Sequence, residues 1–268
     1  MQPLLILILF FSFTLSAFAQ QPEYPDSGFT NKAEARNLKV HGKKEGKWYK
    51  RVGWYEPGSI SIPAEATDAN INDWYTLTVY KQGKPYGIAR RYDWKGILER
   101  VSPYVNGKRT GTEKQYYISG KLFRLTKYRN DTILDTAYGY WENGTLEDRV
   151  IYRNGERNGV EKCYCDSGAL CSEYPWVNDT LDGVYKTYYV DGKPAIVCPY
   201  VKGQFDGADM EYYQDGTIQR ESFHIKGMPV GTWKEFYKNG KVKSVRRYNN
   251  GAFLGGEDYD ENGDEITY

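Results

Sequence analysis

Residues 104–127 read YVNGKRTGTEKQYYISGKLFRLTK. This stretch decides the fold because its 24-residue pattern recurs, without insertion or deletion, from Tyr80 almost to the end of the chain. The first position of the unit is Tyr80, Tyr104, Tyr128, Tyr152, Trp176, Tyr200, His224 and Tyr248. The thirteenth is aromatic throughout: Tyr92, Tyr116, Tyr140, Tyr164, Tyr188, Tyr212 and Phe236. The seventeenth is glycine at Gly96, Gly120, Gly144, Gly168, Gly192, Gly216 and Gly240. A fixed period of this length means one supersecondary unit stacked on copies of itself.

Two turn signals punctuate each unit. One follows the opening aromatic, as in Asn106-Gly107 and Asn154-Gly155, and the other follows the central aromatic pair, as in Asn143-Gly144 and Asp191-Gly192. Asn-Gly and Asp-Gly tolerate positive φ at both central positions, so type I′ turns are expected at both places. Between them lie two segments long enough for one strand each, and no stretch is long enough for a helix. The expected fold is therefore all-β: an elongated antiparallel meander of tandem β-hairpins, a twisted or curved single sheet. Eight units give about sixteen strands, and at ~4.8 Å per strand a sheet ~75 Å long before twist.

A second glycine recurs four residues after the first, as at Gly111, Gly159 and Gly207. It marks a bulge or a close approach, which the rings at the first and thirteenth positions are expected to fill together. An aliphatic column at the nineteenth position (Leu98, Leu122, Leu146, Leu170, Ile218, Val242) stacks with its copies to continue that core. Asp131 and Asp179 stand where two units would have the first glycine. Upstream the pattern decays. Gly42 and Gly46 with Trp48-Tyr49 form one degenerate unit, and residues 53–79 break the register with Pro57 and Pro63. Three parts follow: a leader over 1–19, an N-terminal segment over 20–79 and eight tandem hairpin repeats over 80–268.

The apolar run Leu4–Phe13, followed by Ala17-Phe18-Ala19, has the pattern of a secretory signal peptide. Cleavage after Ala19 is expected, leaving an exported chain in the periplasm, on the outer surface or outside the cell, and not transmembrane. The 36 basic and 35 acidic residues balance, which argues against a nucleic-acid partner held by net charge. Export permits disulfides. With Asp166-Ser167-Gly168 as the turn, Cys165 faces Ala169 and Cys163 faces Cys171, so a Cys163–Cys171 bond is expected. Cys198 lies about two strands further, ~9.6 Å away and beyond bonding range.

No Ser/His/Asp or Cys/His set is recognisable and no phosphate-cradling loop leads into a helix, so no catalytic residue, no cofactor and no metal are expected. Asp258-x-Asp260-x-Asn262-Gly263 mimics the start of a calcium loop, but the same residues read as the last hairpin turn. The thirteenth-position rings are expected in the core. The fourteenth-position side chains Tyr117, Trp141, Tyr189, Tyr213 and Tyr237 then point the other way and are the candidate exposed binding stripe.

A unit of the form Tyr-x-Asn-Gly-x-x-x-Gly, then Tyr-Tyr-x-x-Gly and a Leu, resembles the bacterial variant of the MORN repeat. The clearest matches are 104–122, 200–218 and 224–242. The resemblance implies a β-hairpin sheet serving as a scaffold, an oligomerisation device or a lipid-binding surface; some bacterial members are termed YwqK-type antitoxins. The reading taken forward is an exported, non-enzymatic repeat scaffold that mediates protein–protein interaction at the cell envelope. The alternatives are an envelope polysaccharide- or lipid-binding module and an immunity or antitoxin-like inhibitor of a secreted toxin.

Overall fold

The computed structural model describes residues 29–52 and 74–267; the leader and the irregular residues 53–73 lie outside them. The described chain is a 24-stranded antiparallel sheet, with strands paired in chain order as a meander that does not close into a barrel. Its helical content is one 3-10 turn, Lys32–Glu34. Sixteen long strands run from Tyr75 onward, two per unit as the repeated turn signals require.

The unit that begins at Tyr104 shows the pattern. A two-residue strand, Lys108–Arg109, and a six-residue strand, Gly111–Tyr116, run outward, and Leu122–Arg129 returns. Gly111 faces Tyr128, Glu113 faces Thr126 and Gln115 faces Arg124. The same return strand then pairs with the next outgoing strand through Leu125↔Tyr138. Each unit therefore touches its predecessor and its successor.

The two turns differ in kind. At the first, Asn106 (φ 50°) and Gly107 (φ 86°) both take positive φ, as a type I′ turn demands. The second departs from the expectation. There only the glycine is left-handed (Gly144, φ 91°), its N–H donates to the Trp141 carbonyl, and the Trp141 N–H donates to the Thr145 carbonyl. This is a type I turn closed by a glycine bulge, the three-residue hairpin loop. The preceding Asn143 stays at negative φ, as a type I turn requires, and its side chain accepts from the Thr145 N–H. A second irregularity follows. Tyr116 faces Leu122 but Gln115 faces Arg124, so Phe123 is an extra residue on the return strand.

Side chains alternate across a strand, and this register divides the unit into two faces. The first-position rings share one face with positions 10, 12, 21 and 23. Positions 9, 11, 13, 22 and 24 share the other. The first- and thirteenth-position rings therefore lie on opposite faces and do not fill one space together, contrary to the sequence reading. What lies over the first-position ring is its directly opposed glycine, as in Gly111↔Tyr128 and Gly207↔His224.

A buried apolar cluster forms where a second layer exists. Residues N-terminal to the sheet bring Phe29 onto Leu77 and Tyr92, with Tyr49, Tyr75, Val79 and Leu98 around them. Tyr75 and Tyr92 stack at 5.0 Å. Beyond this cap the sheet is one layer thick. The thirteenth-position rings other than Tyr92 are only partly buried, and buried positions along the strand centres are often polar: Ser102, Glu113, Thr126, Asp209 and Ser222. These polar groups satisfy each other, as where Ser102 Oγ donates to Glu113 Oε2 at 2.6 Å and Ser222 donates to Asp209.

Candidate functional site

The proposed binding stripe is a structural seam. Tyr117 Oη donates to the carbonyl of Tyr140 at 2.8 Å, Trp141 Nε1 to that of Tyr164 at 2.8 Å and Tyr189 Oη to that of Tyr212 at 2.6 Å. Tyr213 Oη donates to the Phe236 carbonyl at 2.7 Å, and Tyr237 Oη to that of Tyr259 at 2.8 Å. Every one of the five ties its hairpin to the main chain of the next, and all five are half-buried. A strand period that repeats in register places each ring beside the same carbonyl one unit on, so the pattern is a consequence of the exact 24-residue spacing.

Cys165 occupies the fourteenth position in its unit, where the others have rings. It forms a disulfide with Cys171, the Cα atoms lying 5.6 Å apart. The expected Cys163–Cys171 bond is thus replaced by a different one. The turn was read correctly, since the Cys165 N–H donates to the Ala169 carbonyl. The strand irregularity then intervenes: Tyr164 faces Leu170 and Cys163 faces Ser172. Cys171 is the extra residue, on the same side as Cys165. The equivalent pair two units earlier, Tyr117 and Phe123, makes a ring contact at 5.1 Å. Cys163 and Cys198 are free thiols. Burial, with the Glu161 charge adding, pushes the Cys163 thiol up to about 11. Burial and Asp209 push that of Cys198 up to about 12.

The calcium-like residues close the last turn. Asp260 Oδ1 accepts from the N–H groups of Asn262 and Asp264, each at 2.9 Å, and those bonds hold its carboxyl below the ordinary range. Among the described residues no group of three His, Cys, Asp or Glu side chains is arranged to hold a metal ion.

Two surfaces remain. On the first-position face a continuous ladder of rings runs Trp176, Tyr174, Tyr185, Tyr200, Phe205, His224, Trp233, Tyr248, Phe253, with centroids 4.5–6.4 Å apart. It is built by cross-strand pairing, since the fifth ring, Phe205, faces Tyr200 directly. At Tyr128 and Trp176 the place of a further ring is taken by a guanidinium. Arg109 lies 4.1 Å over Tyr128 and Arg157 lies 3.6 Å over Trp176. Asp131 and Asp179, the two residues in place of glycine, accept from these arginines across the unit boundary.

The opposite face carries the surface that sequence reasoning missed. Val160, Val177, Val184, Val201, Phe223, Ile225 and Met228 each keep 40–46% of their surface exposed. Register makes them neighbours: Val160 faces Pro175, Val184 faces Pro199, Ala208 faces Phe223 and Ile225 faces Met228. Gly207 allows this packing, because a Cβ there would lie 2.8 Å from the Pro199 ring. At the matching positions Ile88, Pro103 and Val105 are apolar, but Thr112, Lys127, Arg129 and Thr136 interrupt them, so the exposed run that reaches Met228 starts at Val160. Its signal was present in the sequence as valines 24 residues apart, at 160 and 184 and at 177 and 201.

Comparison with known proteins agrees with the repeat reading. The family described as MORN repeat variant matches residues 181–202 and 229–250. No curated protein matches the chain. Among solved structures, a porin-like protein from Bacteroides uniformis ATCC 8492 is similar at 12% identity, over 68% of this chain and 88% of that one, with a TM-score of 0.19. So slight a superposition carries no functional reading. No helix among the described residues is long and apolar enough to cross a membrane.

Proposed function

From a chain that carries repeats of the MORN variant type, we propose an exported scaffold that binds a protein partner at the cell envelope through its apolar column. The observation that carries this reading is the exposed stripe from Val160 to Met228. Monomeric proteins rarely leave a contiguous apolar patch of this kind uncovered, and such patches mark contact surfaces. The sheet itself supports a binding rather than a catalytic role. It is one layer thick over most of its length and offers a long ordered surface, as repeat arrays do. Export rests on the leader pattern at Leu4–Ala19.

The test is capture from envelope fractions. Mature protein and a Val184→Asp/Val201→Asp variant serve as paired baits, with circular dichroism confirming that both fold. A partner recovered by the first and lost by the second supports the proposal. Identical recovery by both baits contradicts it.

A second reading has its own observation. The ring ladder from Trp176 to Phe253 is the kind of platform on which sugar rings stack, so an envelope polysaccharide is the alternative ligand. Affinity-gel retardation on cell-wall polysaccharides, lost in Trp233→Ala, would favour it. Retardation that Trp233→Ala leaves unchanged, or none at all, would dismiss it.

A further inference from the structure

We propose that a hollow on the first-position face of the first repeat binds a small oxyanion-bearing molecule, a carboxylate or a phosphate ester, with Arg100 as its principal cation. The hollow has a volume of about 180 Å³ and is lined by Thr76, Thr78, Tyr80, Ala89, Arg100 and Tyr104, among others. It exists because position 10 of this unit is Ala89. The same position holds Glu113, Glu161, Tyr185, Asp209 and Trp233 in other units, and Ala137, where alanine recurs, is already covered at 1% exposure.

Arg100 is the residue that asks for a ligand. Its Nε is buried and makes no hydrogen bond. Among the described residues no carboxylate lies within ion-pairing distance of its guanidinium. A buried Nε–H without an acceptor is costly, and the fork of donors of a half-buried guanidinium matches the oxygens of a carboxylate or phosphate. The neighbouring charges are already matched. Arg91 pairs with Glu99 at 2.8 Å, and Glu113 accepts from Ser102 at 2.6 Å and lies 3.9 Å from Arg109. Thr76, Thr78, Tyr80 and Tyr104 line the same hollow and carry hydroxyls able to donate to further oxygens. The hollow has room for an oxyanion together with a small polar body.

The test uses isothermal titration and thermal melting of the folded mature protein with three probes: inorganic phosphate, glucuronate and, as the neutral control, glucose. The proposal expects saturable binding of at least one anion, a melting temperature that rises with that anion, and no response to glucose. Phosphate alone binding assigns a phosphate ester; glucuronate alone assigns a carboxylate. Arg100→Gln should weaken binding at least tenfold while leaving the fold intact, and should melt higher than wild type in anion-free buffer. Ala89→Leu keeps the cation but fills the hollow, and should also abolish binding. Failure of both anions to bind, binding that survives both substitutions, or equal response to glucose overturns the proposal.

Discussion

The phenol of Tyr189 donates a 2.6 Å hydrogen bond to the main-chain carbonyl of Tyr212, 23 residues on in the next hairpin. The same bond recurs from Tyr117, Trp141, Tyr213 and Tyr237. One side chain per unit thus turns a run of hairpins into a single body. Tyr189→Phe should cost ~0.5–1.5 kcal/mol, the worth of one hydrogen bond whose acceptor is left in a half-buried seam. Denaturant unfolding measures it. An unchanged midpoint would mean that the seam is incidental to stability.

Tyr188 and Tyr189 point to opposite faces, as alternation requires, yet neither is idle. Tyr188 Oη donates to Glu173 Oε2 at 2.7 Å. Both rings are half-buried, so alanine at either should destabilise by ~1–3 kcal/mol. A large gap between the two melts would contradict a sheet with both faces partly covered.

The disulfide gives a chemical test of strand register. Non-reducing peptide mapping should recover Cys165 linked to Cys171, with Cys163 and Cys198 as free thiols. In the native protein both free thiols should alkylate slowly at pH 8, since their raised ionisation leaves little thiolate. A Cys163–Cys171 peptide would mean that the return strand has no extra residue at Cys171.

The turn aspartates separate backbone strain from ion pairing. Asp179 adopts φ 61° and accepts from Arg157 at 2.9 Å. Asp179→Gly loses the pair but gains freedom in the left-handed region, and should melt close to the wild type. Asp179→Ala loses the pair and keeps the strain, so it should melt lower than the glycine variant. The reverse order of the two melts would refute this account of the turn.

Much of this was legible in the sequence. The period, the two turns per unit and the all-β meander follow from the spacing of Tyr104, Asn106-Gly107, Tyr116 and Gly120, because backbone preferences act locally and were repeated. What escaped were features set by register across strands. The extra residue at Phe123 or Cys171 cannot be seen in a hairpin read as a simple ladder, and it moved the disulfide by one partner. The spacing of the fourteenth-position rings is visible in the sequence, but each ring's acceptor lies in the next unit and depends on strand stagger. The apolar column was visible as recurring valines, though only the single-layer sheet shows that nothing among the described residues covers it.

Alkaline pH should unfold the protein through its buried phenols. Burial, with hydrogen bonding to Tyr174 adding, pushes Tyr185 up to about 12, and burial with Glu173 does the same for Tyr188. Both values lie above the ordinary 10.0, so the stability these groups supply is complete below about pH 10 and is lost as pH rises through about 12. Melting at pH 8 and pH 11 should differ, and Tyr188→Phe should reduce the difference. Equal melting at the two pH values would contradict the burial of these rings.

The apolar column, and not the fourteenth-position stripe, is the surface proposed to meet the partner. Site-specific photocrosslinking tests it most directly, with a photoreactive residue placed at Val201 in one protein and at Tyr213 in another, each exposed to envelope fractions. One protein adduct is expected from position 201, competed away by unmodified mature chain, and none from position 213. An adduct from position 213 with none from position 201 would contradict it.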